Sequence, residues 1–206
     1  MSELGEHTRW SGWELPDGGD PPTAEELARL LATEGGDGYQ LLAVAGRGFR
    51  PPRYLTVAPS RADARSTGAD DSSEDPGPLR RSWTVRYRRI AETRPAGPTR
   101  FAIYLLGVDP PKSATDTELE VFNAFYTDVH FREVAERRSA LRAERYERDA
   151  VITSPIKGAP RYLAVYEFDE EGASRRRHTG PPYSSGPEVW QGHTTPWRLW
   201  YRRIAP

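Results

Sequence analysis

The chain has 206 residues, a formal net charge of −1 and no cysteine. The missing cysteine excludes disulfides, thiolate metal sites and cysteine nucleophiles. The near-neutral balance offers no general attraction to nucleic acid or to an anionic membrane. No apolar stretch approaches the roughly 20 residues that span a bilayer and the N-terminus is polar, so a cytoplasmic location is expected.

The first expected element is a strand over Thr8–Leu15 carrying Trp10 and Trp13, followed by a turn over Pro16–Pro22. Thr23 caps a helix that runs to about Thr33, with Glu25 and Glu26 in its first turn. Leu27, Leu30 and Leu31 form its apolar stripe, and Gly35-Gly36 ends it. Tyr39–Ala45 and Arg53–Ala58 read as strands, and residues 59–81, rich in Ser, Asp, Gly and Pro, as a mobile loop. Trp83–Ile90 alternates Trp83, Val85 and Tyr87 with Thr84, Arg86 and Arg88, the period-two pattern of a strand.

After a linker the order repeats. Phe101–Val108 is apolar on both faces, as in a strand covered on both sides. Thr115 caps a long helix over Asp116–Arg137, with Glu118 three residues on to complete a capping box. Ser139–Arg148 and Arg161–Phe168 read as strands, 170–177 as a short arginine-rich helix, 178–194 as a loop and Pro196–Ile204 as the closing strand.

Two blocks recur in the same order. Trp83-Thr84-Val85-Arg86-Tyr87-Arg88-Arg89-Ile90-Ala91 matches Trp197-Arg198-Leu199-Trp200-Tyr201-Arg202-Arg203-Ile204-Ala205. Pro52-Arg53-Tyr54-Leu55-Thr56-Val57 matches Pro160-Arg161-Tyr162-Leu163-Ala164-Val165. One supersecondary unit is therefore used twice: a degenerate first repeat over 1–92, a linker over 93–99 and a second repeat over 100–206. Each reads β-α-β-β-(α)-β, the ferredoxin-like order, which leaves one apolar sheet face uncovered. Two such faces can bury each other, so the expected fold class is α+β, an intramolecular dimeric α/β barrel.

The segment from Phe122 to Val134 resembles a helix of the EthD-like members of the dimeric α/β-barrel superfamily. Tyr126, His130, Glu133 and Val134 match that pattern, Phe125 stands where Trp is usual, and Arg132 where proline is common. Ala159–Glu167 and Tyr201-Arg202-Arg203-Ile204 also resemble it, so that the likeness covers about residues 100–205. The superfamily includes polyketide cyclases, cofactor-free monooxygenases, lactone isomerases and some haem enzymes, besides many members without known activity.

At about 100° per residue, Leu119, Phe122, Phe125, Tyr126 and Val129 share one side of the long helix, with Glu133 inside that arc and His130 at its edge. Three polar side chains on a buried side must find partners. They suit an acid/base relay in which His130 moves a proton, Glu133 orients it and Tyr126 donates to a developing oxyanion. The shorter N-terminal helix buries only leucines, so the second half is expected to carry the site. Trp190, Trp197, Trp200, Tyr162, Tyr166 and Tyr201, with Phe122, form a candidate aromatic wall for a flat apolar ligand. His193 is a candidate second acid/base group at the cavity mouth, and Arg175-Arg176-Arg177-His178 a local basic cluster.

These readings point to a cofactor-independent enzyme of natural-product or polyketide-like metabolism. Its barrel interior would hold a small apolar or aromatic substrate for cyclisation, isomerisation, dehydration or oxygenation. No metal site, nucleic-acid partner or membrane partner is expected, and a homodimer beyond the internal pairing is allowed. The alternatives are a non-catalytic ligand-binding or scaffold protein of the same fold, an RNA-binding module, and a haem barrel with His130 or His193 as axial ligand.

Overall fold

The computed structural model describes residues 7–15, 17, 19–34, 36–44, 51–60, 79–93, 101–153, 159–175 and 182–204. Most of the 59–81 loop, most of the linker, and Arg176, Arg177 and His178 lie outside the described residues. The strands are β1 His7–Glu14, β2 Asp37–Val44, β3 Tyr54–Ser60, β4 Arg80–Glu92, β5 Ala102–Asp109, β6 Arg142–Thr153, β7 Tyr162–Phe168 and β8 Thr194–Arg203. They close a barrel in the order β1-β3-β2-β8-β5-β7-β6-β4. Taken by halves, that is β4-β1-β3-β2 and β8-β5-β7-β6, one arrangement used twice. The antiparallel pairs β2–β8 and β4–β6 stitch the halves together, and closure leaves no edge strand among the described residues. The fold is the expected α+β dimeric α/β barrel within one chain.

Alternation along each strand sends one face inward. Trp83, Val85 and Tyr87 of β4 meet Trp197, Leu199 and Tyr201 of β8, together with Trp10, Tyr39, Leu55, Ile103, Leu105, Tyr146, Leu163 and Val165. The two uncovered faces do bury each other. Their side chains fill the lumen, however, so the space expected to hold a substrate is a packed core.

The recurring blocks meet across that core. Tyr87 donates its hydroxyl to the carbonyl of Pro160, and its counterpart Tyr201 donates to the carbonyl of Pro52, both at 2.9 Å. The rings of the equivalent Trp83 and Trp197 lie 5.6 Å apart. Gly107 faces Trp197 in the β5–β8 register, as Gly12 faces Trp83 in β1–β4. A Cβ at Gly107 would lie 2.6 Å from Pro160, and one at Gly12 would lie 2.8 Å from Pro52. The repeated Pro, Trp and Tyr positions are thus one packing device used twice, and it requires a glycine in the facing strand.

The helices cover the outer faces. α1, Ala24–Glu34, starts with Thr23 and Glu26 capping each other: the Thr23 N–H donates to Glu26 Oε2 at 2.7 Å and the Glu26 N–H to Thr23 Oγ1 at 3.2 Å. Its Leu27 and Leu30 pack with Trp13, Tyr54 and Leu79. In the second half α2, Asp116–Phe125, opens on the predicted Thr115–Glu118 box. The expected continuous helix is interrupted by a π-helical turn over Tyr126–His130 before α3, Phe131–Arg137. Two short helices complete the half, α4 Glu170–Ser174 and α5 Glu188–Gln191. The second lies in the segment expected to be loop, where Pro187 occupies the N-cap.

Candidate active site

The π turn sets the site's geometry. The Phe131 N–H donates to the Tyr126 carbonyl five residues back, which adds a residue to that turn. Everything beyond it is rotated relative to an unbroken helix. Val129, expected on the apolar stripe, is 41% exposed, while Phe131, Val134 and Ala135 are buried. Glu133 directs its carboxylate bonds to other groups. It pairs with Arg137 at 2.5 Å and accepts the Ser184 N–H at 2.9 Å. The expected Tyr126–His130–Glu133 relay is therefore not hydrogen-bonded, and Glu133 instead ties the 182–187 segment onto α3. Arg137 adds a second tie, donating to the Pro182 carbonyl at 3.0 Å.

Beneath the π turn lies Arg145 of β6, fully buried. Its guanidinium donates to Asn123 Oδ1 and Thr127 Oγ1, both at 2.6 Å, and stacks 4.2 Å from the Tyr126 ring and 4.6 Å from the Tyr162 ring. Desolvation holds this guanidinium below its ordinary range. Asn123 in turn donates to the Tyr162 hydroxyl at 2.8 Å. The Tyr126 hydroxyl is buried without a hydrogen-bond partner among the described residues, and desolvation raises its pKa.

His130 is half-buried beneath a strap formed by 182–193. Its ring lies 4.7 Å from Trp190 and 5.3 Å from Tyr183. Its Nδ1 is buried without a hydrogen-bond partner among the described residues. Desolvation, opposed by the Glu133 carboxylate and assisted by His193, lowers its pKa from 6.5 to about 4, so the ring is neutral at neutral pH. Trp190 of α5 also packs on Phe122, Phe125 and Tyr126. His193 stacks on Trp190 at 4.2 Å, and its Nδ1 lies 2.5 Å from the Trp190 carbonyl. A carbonyl only accepts, so His193 carries its proton on Nδ1. The strap bends at Gly186, where φ is 70° and a Cβ would strike Phe125 and Trp190.

A cavity of about 160 Å³ opens here, between the helix and the outer face of the sheet. His130, Val134 and Arg138 line its helix side; Tyr104, Leu106 and Val108 of β5, with Thr195 and Arg198 of β8, line its sheet side. Tyr183, Trp190 and His193 close it from the strap. Arg138 lies 4.9 Å from the Tyr104 ring centroid.

Of the residues singled out from sequence, His130, Trp190 and His193 line this cavity. Phe122 and Tyr126 pack behind them, and Tyr162, Tyr166 and Trp200 belong to the same outer core. Trp197 and Tyr201 project into the lumen on the other side of the sheet, so the structure does not bring them to the cavity. Arg175 is exposed and paired with Glu171. Tyr104, Arg138, Tyr183, Thr195 and Arg198 were not anticipated. Among the described residues no group of three or more His, Cys, Asp or Glu could hold a metal ion, and no helix is long and apolar enough to cross a membrane.

No family model matches the chain, and no curated protein matches it in sequence. Solved structures do. A chlorite dismutase mutant from Candidatus Nitrospira defluvii in complex with cyanide superposes with a TM-score of 0.56 at 11% identity, covering 99% of this chain and 92% of that one. A second mutant of that enzyme gives 0.52 at 10% identity, covering 100% and 93%. A heme-binding protein from Thermus thermophilus gives 0.50 at 12% identity, covering 98% and 92%. The chain has the dimeric α/β-barrel fold of these proteins. At such identities the likeness is one of fold. It does not reach the EthD-like resemblance of the Phe122–Val134 helix.

Proposed function

We propose that the chain is a small-molecule enzyme that works without a cofactor, with His130 as the proton-transferring group. The observation that carries this reading is a desolvated, neutral imidazole lining a cavity of about 160 Å³. Cyclisation, isomerisation, dehydration and cofactor-free oxygenation can all begin by removing a proton from a carbon next to a carbonyl. In each, His130 accepts that proton, and the electron pair moves to the carbonyl oxygen to give an enolate. A ring held near pH 4 is a weak base. It abstracts a proton only where the pocket stabilises the resulting anion, and Arg138 and Arg198 supply that charge. Trp190, Tyr183 and Tyr104 give the substrate apolar walls.

The fold raises haem as a candidate group, and a neutral imidazole is the right donor for it. The space is not. Trp190 is buried against His130, and about 160 Å³ lies well below the roughly 300–1,000 Å³ of pockets for drug-sized ligands, which are themselves smaller than a haem. The residues present do not fit that group, and no step is drawn through it.

A second reading is favoured by one observation. Glu133 is engaged by Arg137 and Ser184, so among the described residues His130 has no orienting carboxylate, as in a protein that binds a small ligand without turning it over. Phenylpyruvate in D₂O separates the two, since it carries one ring and an exchangeable proton beside a carbonyl. The enzyme reading expects protein-catalysed loss of the C–H signal that disappears in His130→Gln. Binding without exchange supports the second reading, and a Soret band on titration with haemin would overturn the volume argument.

A further inference from the structure

Resting on the reading of the His130 cavity as the ligand site, we infer that its ligand is a carboxylate anion carried on a single ring or a chain of equal bulk, held by Arg138 and Arg198. Among the described residues the lining includes two arginines and two histidines and neither Asp nor Glu. The arginines come from opposite walls. Arg138 caps the C-terminal end of α3, and Arg198 projects outward from β8, opposite Leu106 of β5. Both act on one place, because each pulls down the pKa of the Tyr104 phenol, which desolvation otherwise raises.

Several other arginines are matched by carboxylates. Arg81 pairs with Glu34, Arg86 with Asp149, Arg89 with Glu144 and Arg203 with Asp37. Arg198 has no carboxylate partner among the described residues and stands at the cavity. Arg138 and Arg198 stand on opposite walls with no acid among the described lining residues, a positive setting that suits a carboxylate, and a guanidinium presents paired N–H donors to match its two oxygens.

Size narrows the class further. An apolar cavity of about 150 Å³ accepts benzene, and this one measures about 160 Å³. One ring therefore fits, with Trp190, Tyr183 and Leu106 as its apolar contacts.

Isothermal titration of the full chain with benzoate and with benzamide, its neutral isostere, tests the inference. Benzoate is expected to bind at least about tenfold more tightly, the low end for a charge-assisted contact. Arg198→Gln, at an exposed position that leaves the core intact, is expected to weaken benzoate about tenfold and leave benzamide unchanged. Arg138→Gln is expected to act in the same direction. Equal affinity for benzoate and benzamide in the wild type overturns the anion assignment and leaves the His130 cavity standing as a site. Binding of neither overturns the assignment together with the site. Displacement of benzoate by equimolar inorganic phosphate marks a bare-anion site and overturns the single-ring class.

Discussion

Tyr87 donates its hydroxyl to the Pro160 carbonyl across the barrel, 73 residues away in sequence and at 2.9 Å in space. Its repeat partner Tyr201 makes the mirror bond to Pro52. Both phenols are buried, so neither carbonyl exchanges its donor for water. Tyr87→Phe and Tyr201→Phe are each expected to cost about 1–2 kcal/mol. The two losses should be nearly equal, because the bonds are copies of one another. Urea unfolding measures both.

His130 titrates near 4 in the folded chain because it is desolvated, against 6.5 when free. Between those values the unfolded chain binds the extra proton, so stability is complete above about pH 6.5 and is lost as pH falls toward 4. The loss is expected to be about 3 kcal/mol. It should shrink in His130→Gln when unfolding is followed at a series of pH values.

Trp190 is the central ring of the strap, touching Phe122, Phe125, Tyr126, His130 and His193. Trp190→Ala should cost about 3–5 kcal/mol. It should also let water reach His130 and raise that pKa toward its free value, which histidine-detected NMR reads directly.

Arg145 satisfies Asn123 and Thr127 with one guanidinium and stacks between two tyrosines. Lysine keeps the charge but cannot bridge two acceptors in a plane or lie flat on the rings. Arg145→Lys is expected to lose about 2 kcal/mol, seen as a lower urea midpoint.

Glu133 acts on the strap through Ser184 and Arg137. Glu133→Ala should speed amide exchange at 183–186 while changing global stability by less than about 1 kcal/mol, as befits a partly exposed ion pair.

What the sequence revealed follows from how local each signal is. The Thr23–Glu26 and Thr115–Glu118 caps depend on residues three apart, and the β4 and β8 pattern on alternation, so both were readable. The repeated blocks placed β3, β4, β7 and β8 in equivalent positions. Val129 lies outside the stripe that regular spacing predicts because it sits in the π turn, which adds a residue that no pattern of apolar spacing records. Alternation separated Trp197 and Tyr201 from Trp200 but could not say which face looks into the lumen. Arg138 and Arg198 had no distinguishing signal in a chain where 27 of 29 basic residues are arginine. Tyr104 was hidden in a strand apolar on both faces.

The central claim is that ligand enters between the helix and the outer face of the sheet, beside His130, and not the lumen. The six tryptophans report on it directly through their indole N–H resonances during a benzoate titration. Trp190 should shift progressively while the lumen residues Trp10, Trp83 and Trp197 stay in place. Shifts confined to those three, with Trp190 unmoved, would contradict it.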